Sequence, residues 1–145
     1  MALEGTREIS PVGWVKDQTE TILETGTTAS VGIMGMDVVL VTIRGRKSGK
    51  LHYVPLMRVE HDGTYAVVAS KGGAPKHPTW YHKLAAEPHV ELQDGTETHE
   101  YMAREVSGDE RATWWERAVA AYPPYAEYQT RTDRLIPVFV LDRLD

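Results

Sequence analysis

The stretch that decides the fold runs from residue 37 to residue 70, DVVLVTIRGRKSGKLHYVPLMRVEHDGTYAVVAS. It contains three segments rich in β-branched and aromatic residues, each too short for a typical helix: 37–44, 51–60 and 64–70. Gly45–Lys50 is a turn between the first two, and Asp62-Gly63 is a typical hairpin turn between the last two. The stretch therefore predicts consecutive antiparallel strands, and Pro55 places the middle one at an edge or a bulge.

Downstream of this stretch, the pattern predicts a short helix, another hairpin and two further helices. Thr79–Ala86 makes about two helical turns before Pro88. Asp94-Gly95 joins two more strands, 89–93 and 97–106. Ser107 and Glu110 have capping-box spacing, so helices are expected over 109–131, interrupted at Pro123-Pro124. Residues 135–141 are expected to form a closing strand.

Upstream, residues 1–10 are polar and unpatterned and predict a flexible tail. Residues 11–25 carry apolar residues at helical spacing and end near Gly26, so they predict a helix that packs on its own domain. Residues 25–35, TGTTASVGIMG, are compatible with a mobile cover over a site and equally with a linker. The whole predicts one domain, 11–145, mostly β with peripheral helices (α+β), arranged as an antiparallel barrel with helices outside.

The composition is that of an ordinary globular domain. The chain has 145 residues, of which 41% are hydrophobic and 26% charged, which excludes collagen-like and wholly disordered proteins. No uncharged apolar run approaches the ~20 residues of a membrane span, and no signal peptide is expected. Cysteine is absent, which excludes thiol nucleophiles and fits a reducing cytoplasm.

Positive charge is concentrated in one third of an acidic chain. The net charge is −5, which argues against a general nucleic-acid binder, yet residues 44–76 carry seven basic and two acidic side chains. Their local charge is +5, against −10 for the remainder. Such a distribution predicts a site for an anionic ligand, the alternative being a solvated basic face.

Two glycine-containing loops are candidates for that site. In Gly45-Arg-Lys-Ser-Gly49, two glycines allow a tight turn whose N–H groups, cations and hydroxyl can hold a phosphate. Ser70–Lys76 combines two lysines with two adjacent glycines, which permit close approach of the backbone to a flat ligand. Trp80 and Tyr81 follow and can form its wall. Each loop alone is equally compatible with an ordinary hairpin turn.

Three tyrosines at a spacing of three, Tyr122, Tyr125 and Tyr128, lie roughly on one face of a helical turn. They can pack as core, or they can line an apolar pocket and offer hydroxyl donors to a ligand oxygen. The six histidines lack metal-ligand spacing, and no nucleophile motif or paired carboxylates are present, so no metal site is expected. A binding site without acid–base machinery indicates that a cofactor performs the chemistry.

The motifs, in their order along the chain, resemble those of the deazaflavin-dependent nitroreductases, small actinobacterial reductases that use coenzyme F420. The resemblance extends from about Val38 to Val140. It is carried by the segments GRKSG, VPLMRVEHDG, ASKGGAPKHPTWY, AAYPPYAEYQ, TDR and IPV.

This resemblance implies a split β-barrel like that of FMN-binding proteins, and reduced F420, a deazaflavin with a phosphate and an oligoglutamate tail, as the hydride donor. It implies that the phosphate end is held by Arg46, Lys47, Ser48, Lys71 and Lys76. His52 stands near the tail, where some members carry arginine. The residues implied along the deazaflavin ring are Pro55, Ala69, Ser70, Thr79 and Trp80, with Ser70 near the reacting face. Tyr122, Tyr125 and Tyr128 match tyrosines that face the substrate.

We therefore expect an F420H2-dependent reductase that transfers a hydride to an electron-poor planar acceptor: a quinone, an activated enone or a nitroaromatic compound. The alternatives are an FMN-dependent split-barrel oxidoreductase and a non-enzymatic F420-binding protein. We expect a cytoplasmic location with no nucleic-acid partner. The acidic face of the helix over 11–25 argues against stable membrane attachment, while transient contact at the inner membrane face would give access to quinones.

Overall fold

The structure, a computed structural model, describes residues 3–11, 13–33, 35–45 and 48–144. Within them the strands are β1 (Arg7–Glu8), β2 (Val38–Arg44), β3 (Leu51–Met57), β4 (Val59–His61), β5 (Thr64–Val68), β6 (His89–Asp94), β7 (Glu97–Glu105) and β8 (Val138–Arg143). The helices are α1 (Gly13–Thr25), α2 (Thr79–Ala86), α3 (Gly108–Ala121) and α4 (Pro124–Thr130). In the described part of the chain, none of these helices has both the length and the apolar character needed to cross a membrane.

The strands form one mixed sheet in the order β1-β3-β2-β6-β7-β8-β5-β4. The short β1 runs parallel to β3, and the other neighbours are antiparallel. With helices packed against this sheet, the protein is of the α+β class, as the sequence predicts.

The sheet curls so that its two ends meet at Arg58. β3 is second from one edge and β4 is the opposite edge, yet one residue, Arg58, separates them in the chain. Its N–H donates to the Asp37 carbonyl at 3.0 Å, and its Nε donates to Asp94 Oδ2 at 2.9 Å. The hydrogen-bonded ladder of the described strands stays open there. The single strand expected over 51–60 is therefore divided in two.

Alternation along the strands produces two cores. Val38 and Leu40 of β2 belong to a cluster that includes side chains of α1, α3 and α4. Val39 and Val41 belong to a second cluster made almost entirely of strand residues, which the curled sheet encloses and to which Leu84 of α2 adds. This is the pattern that period-2 alternation requires of a sheet buried on both faces.

Local sequence rules account for several boundaries. α2 occupies the expected range 79–86. Asp62 and Gly63 have φ of 51° and 82°, as a two-residue hairpin turn with two positive φ angles requires. β1 covers only the first two residues of β3, so Pro55 lies where the outer edge of β3 has no neighbour among the described strands.

The amino-terminal arm, residues 3–11, differs from the flexible tail expected over 1–10. Arg7–Glu8 pairs with β3, and Leu3 is buried. Buried Glu91 accepts from the Leu3 N–H at 2.9 Å and from Arg7 Nη2 at 3.0 Å. The arm is thus attached by a partner more than eighty positions away, which local patterning does not reveal.

Other differences concern the ends of elements. The last strand covers 138–143 and not 135–141, because Pro137 has no N–H to donate and Leu135 is exposed. Leu23, an apolar residue of α1, is 44% exposed.

In the connection 25–35, Thr28 is buried. Its N–H donates to the Gly95 carbonyl at 3.0 Å, and its hydroxyl accepts from the Gly95 N–H at 2.7 Å. Ser107 caps α3 without a side-chain hydrogen bond.

Candidate functional site

A cavity of about 370 Å³, here called the tyrosine cavity, lies between β3, the end of β5 and the helices. Its walls are mostly apolar. Among the residues that line it are Trp14, Val15, Ile33, Pro55, Met57, Ser70, Lys71, Gly72, Trp80, Tyr122, Tyr125 and Tyr128. These come from five separate parts of the chain, and the fold brings them to one place.

The three tyrosines form a mutually packed group at one wall. Ring centroids are 4.9 Å apart for Tyr122 and Tyr125 and 6.1 Å apart for Tyr125 and Tyr128, with edge-to-face geometry. The hydroxyls of Tyr122 and Tyr128 are 2.8 Å apart and share a hydrogen bond. Burial raises the pKa of Tyr122 to about 12 and also raises the pKa of Tyr125. Tyr122 and Tyr125 therefore stay protonated at neutral pH and can act as donors.

Two hydroxyls at this cavity have no partner among the described residues. Ser70 and Tyr125 are both buried, and the hydroxyl of each makes no hydrogen bond to another described residue. Neither oxygen is among the fully enclosed polar atoms left without a partner, so both remain accessible from the cavity. Each can therefore form a hydrogen bond with water or with an oxygen-bearing ligand there.

A second cavity of about 420 Å³, here called the arm cavity, adjoins the first and shares Val15, Val54 and Trp80 with it. Its lining includes His52, Lys83 and Glu8 of the arm. Lys50 forms an ion pair with Glu8 at 2.8 Å. Burial, with the nearby Lys83 charge, lowers the pKa of His52. The two cavities together make an elongated site with an apolar end and an end whose lining carries Lys83, His52 and Glu8.

The glycine loop, Ala69–Pro78, forms the floor between β5 and α2. Its turn at 71–73 has three consecutive positive φ angles, including 46° at Lys71. Gly72 has φ 64°, and a Cβ there would meet no heavy atom within 4 Å, so the backbone is left bare toward the tyrosine cavity. Gly73 contacts α4 so closely that a Cβ would lie 2.5 Å from the Tyr128 carbonyl oxygen.

The structure brings together seven of the residues predicted for the site. Those that line the tyrosine cavity are Pro55, Ser70, Lys71, Trp80, Tyr122, Tyr125 and Tyr128. His52 and Thr79 line the arm cavity. These contacts place the glycine loop and the start of β3 at the same end of the sheet.

Five other predicted residues lie elsewhere or outside the described part of the chain. Lys76 lines a separate cleft with Arg134, and Ala69 is fully buried behind the cavity wall. Ser48 is exposed on its turn, where its hydroxyl accepts from the Lys50 N–H. Arg46 and Lys47 are not among the described residues, so their predicted phosphate contact remains a prediction.

Sequence reasoning missed Trp14, Ile33, Lys83 and Arg134. Trp14 lies off the apolar stripe of α1 and is 56% exposed at the cavity edge. Ile33 lies in a segment without a period. Lys83 shares one face of α2 with Thr79 and Trp80, so a helical projection of TWYHK would have found it. Arg134 ends the TDR segment that contributes to the resemblance, but nothing local to it indicates that its side chain reaches the glycine loop.

On the curled sheet, a mostly apolar cavity with two hydroxyls that no described residue bonds adjoins a more polar cavity lined by Lys83, His52 and Glu8, an arrangement that suits a protein binding a planar molecule with a polar tail. Comparison with known proteins identifies the family. The family model described as "F420H(2)-dependent quinone reductase" matches residues 14–143, and the chain belongs to this family.

Individual relatives agree. The F420H2-dependent quinone reductase Rv1261c of Mycobacterium tuberculosis is 36% identical over 107 residues, covering 72% of each chain. A solved F420-H2 dependent reductase, FDR-A, is 61% identical with a TM-score of 0.70, covering 72% of this chain and 93% of its own. A chain described as a domain-swapped dimer is 59% identical with a TM-score of 0.74, covering 92% of this chain and all of its own.

The fold also resembles a more distant group. A pyridoxamine 5'-phosphate oxidase-like protein of Listeria innocua matches with a TM-score of 0.51 at 14% identity, over 89% of this chain and 93% of its own. At that identity the likeness concerns the fold alone.

The chain is thus an F420H2-dependent oxidoreductase with coenzyme F420 as its cofactor, as the motifs indicated. The residues fit this group: the tyrosine cavity offers mostly apolar walls and the bare Gly72 backbone, and the arm cavity offers the ammonium group of Lys83. Neither the FMN-dependent alternative nor the non-enzymatic one is needed to explain the residues of the two cavities.

Proposed function

We propose that this protein transfers reducing equivalents from F420H2 to a quinone or to a similar electron-poor planar acceptor bound in the tyrosine cavity. The observation that carries the proposal is the junction of the two cavities at Trp80, which joins an apolar, tyrosine-lined end to a more polar end lined by Lys83, His52 and Glu8. The sheet, in this proposal, is a split barrel of the FMN-binding type, consistent with its curl at Arg58.

When bound, reduced F420 supplies a hydride and not single electrons, because carbon replaces nitrogen at position 5 of its ring. Pro55 and Trp80 would contact the ring from β3 and α2, and Lys71 and His52, with Arg46, Lys47 and Ser48, would hold the phosphate and the tail. Lys83 lines the same cavity as His52 and adds charge there. The proposal also keeps Ala69 and Thr79 beside the ring and Lys76 near the phosphate end, as the resemblance implies.

The tyrosines and Ser70 would act on the acceptor. Negative charge develops on an acceptor oxygen as it is reduced, and protonated hydroxyls already in place stabilise that charge without reorganising. Ser70 and Tyr125 have this capacity to spare, since no described residue bonds their hydroxyls. The hydrogen bond between the hydroxyls of Tyr122 and Tyr128 fixes the positions of these two rings relative to each other.

The proposal includes the location and partners expected from the sequence: a cytoplasmic enzyme without nucleic-acid partners that contacts the inner membrane face transiently to reach apolar quinones. Trp14, exposed at the edge of the cavity, supports an apolar route to the site.

The test is a pair of titrations of the purified protein, with F420 and with FMN, followed by ligand fluorescence and thermal shift. We expect saturable binding of F420 that salt weakens, and no response to FMN. Oxidation of F420H2 is then followed with menadione, an activated enone and a nitroaromatic compound. Tight F420 binding with no turnover of any acceptor would reject the acceptor assignment, and binding of FMN alone would reject the placement of the cofactor.

A further inference from the structure

The glycine loop carries Ser70 and Lys71 to the tyrosine cavity in a strained conformation. Positive φ at Lys71 is unfavourable for a residue with a Cβ and persists only where the surroundings impose it. Within the loop, the Gly73 N–H donates to the Ser70 carbonyl at 2.9 Å and the Ala74 N–H donates to the Lys71 carbonyl at 3.1 Å. These two bonds close the turn without fixing it to the rest of the protein.

The guanidinium of Arg134 supplies that attachment from the segment before β8. Nη2 donates to the Ser70 carbonyl at 2.7 Å, Nη1 to the Ala69 carbonyl at 3.1 Å, and Nε to the Ala74 carbonyl at 2.8 Å. The three acceptors lie on both sides of the strained turn. Among the described residues, no carboxylate pairs with Arg134. Its donors are directed to the loop.

His77 completes the arrangement. Its Nδ1 lies 3.0 Å from Arg134 Nη1, and because arginine only donates, Nδ1 must accept and the ring must be neutral with its proton on Nε2. The ring stacks on Tyr81 with centroids 4.2 Å apart, and the Tyr81 hydroxyl donates to Glu105 at 2.9 Å. The acceptor that orients the fork of Arg134 is therefore itself held by α2 and β7.

The charged groups that face His77 favour its neutral form. Burial is the main cause that lowers its pKa from 6.5, followed by the positive charge of Arg134 and by His82, while Glu105 acts in the opposite direction. Lys76, the preceding residue, adds a further positive charge. At neutral pH the ring accepts from Arg134; below pH 6.5 protonation progressively removes this acceptor and places two cations together.

We infer that Arg134 is a positioning residue of the reductase, whose planar fork, oriented by neutral His77, holds the strained turn so that Ser70 and Lys71 face the tyrosine cavity. The inference rests on the proposed roles of Ser70 and Lys71. Arg134 and His77 lie on the side of the loop that faces away from the cavity. In this inference, they influence both cofactor binding and turnover by holding the loop.

The first experiment compares Arg134→Gln and Arg134→Lys with the wild type and with Arg117→Gln as a matched control. Arg117 lies over the Trp114 ring on α3, with 4.5 Å to the ring centroid, and not on the glycine loop. Cleavage by trypsin after Lys71, followed by mass spectrometry in the absence of cofactor, measures how firmly the loop is held. We expect faster cleavage in both Arg134 variants and a rate near that of the wild type in Arg117→Gln.

The same variants are assayed for F420 affinity and for kcat and KM of the acceptor. We expect kcat to fall on the order of tenfold or more, because small displacements of reacting groups are costly, and F420 affinity to weaken as Lys71 moves. Lysine should not rescue these losses, since a point charge cannot reach three carbonyls in one plane. Rescue by lysine, or unchanged cleavage after Lys71 in Arg134→Gln, would overturn the inference.

The second experiment uses His77→Asn, which keeps an acceptor at the Nδ1 position but does not titrate. Loop protection and kcat of the wild type should fall as the pH drops below 6.5, and His77→Asn should lose this acid limb while keeping wild-type protection at neutral pH. An unchanged acid limb in His77→Asn would reject the role of His77. Because protection is read without cofactor, a wild type that fails to bind F420 would reject the proposed function and leave this result standing.

Discussion

The unpaired hydroxyls of Ser70 and Tyr125 are the residue-scale features with the most direct bearing on chemistry. Both are buried at the tyrosine cavity, and no described residue satisfies them. Neither hydroxyl oxygen is among the fully enclosed polar atoms without a partner, so both can be reached from the cavity. Under the proposed function, the acceptor is the ligand that they contact.

Tyr125→Phe and Ser70→Ala are each expected to lower kcat by roughly ten- to hundredfold, as loss of one donor to a developing oxyanion does, while F420 affinity stays nearly unchanged. Stopped-flow oxidation of F420H2 and a fluorescence titration of F420 measure the two quantities. Tyr65→Phe, which removes a phenol outside both cavities, is the control and should retain kcat. Wild-type turnover in both site variants would contradict the assignment.

A second residue-scale prediction concerns the contact between the glycine loop and α4. Gly73→Ala is expected to lower the free energy of unfolding by about 1–3 kcal/mol more than Gly72→Ala, because an added Cβ would collide with the Tyr128 carbonyl oxygen. Both glycines have positive φ, so the backbone strain of alanine is common to both variants and cancels. Urea unfolding measures the difference. Equal losses of unfolding free energy in the two variants would show that α4 moves away from the added Cβ at residue 73.

At the scale of elements, the amino-terminal arm connects the predicted phosphate turn to the sheet. The Leu51 N–H donates to the Thr6 carbonyl at 2.8 Å, and Arg44 donates to the carbonyls of Glu4 and Gly49 at 2.8 and 2.7 Å. Glu8 then lines the arm cavity. β1, which is only two residues long, is thus held by one buried carboxylate, that of Glu91. Through Glu8, it borders the candidate site.

Glu91→Gln is expected to reduce the free energy of unfolding by about 1–3 kcal/mol, since Arg7 loses its charged partner and the buried position keeps only a neutral acceptor. Glu110→Gln is the control, because its pair with Arg104 is about half exposed and Arg104 keeps Asp142. That change should cost less than about 1 kcal/mol. Denaturant unfolding of both variants checks the prediction, which an equal loss would contradict.

At the scale of the whole molecule, the described basic residues between 44 and 76 are distributed over several separate contacts. Arg58 pairs with Asp94, Lys50 pairs with Glu8, and Arg44 binds carbonyls. Lys71 faces the tyrosine cavity, and Lys83, from outside this range, faces the arm cavity. The charge that an anionic ligand meets is therefore assembled by the fold from several segments.

F420 affinity is expected to fall as salt rises from about 0.1 M to about 1 M, where the screening length shortens from about 10 Å to about 3 Å. Lys71→Gln, and likewise Lys47→Ala, should weaken binding at low salt and flatten this dependence. Lys16→Gln on the outer face of α1 should leave both unchanged, since Lys16 pairs with Glu20 away from the cavities. A salt dependence that is the same in Lys71→Gln as in the wild type would remove Lys71 from the site.

Features of the fold that depend on neighbours in sequence could be predicted. Prolines at 78 and 88 bracket α2, Asp62-Gly63 closes a hairpin with two positive φ angles, and Pro123-Pro124 separates α3 from α4. Much of the candidate site could also be predicted, because the motif order resembles a family whose functional residues are spread along the chain. Arg134 and Glu91 were not found, since each acts on partners more than fifty positions away.

The sequence by itself determined the α+β class, the hairpins at Asp62-Gly63 and Asp94-Gly95 and, through its motifs, the F420-dependent reductase family. These follow from short-range backbone preferences and motif order. Only the tertiary structure decided that the two cavities meet at Trp80, that the arm is part of the sheet, and that Arg134 holds the glycine loop. The curl of the sheet is the physical reason, because it brings distant segments within hydrogen-bond distance of one another.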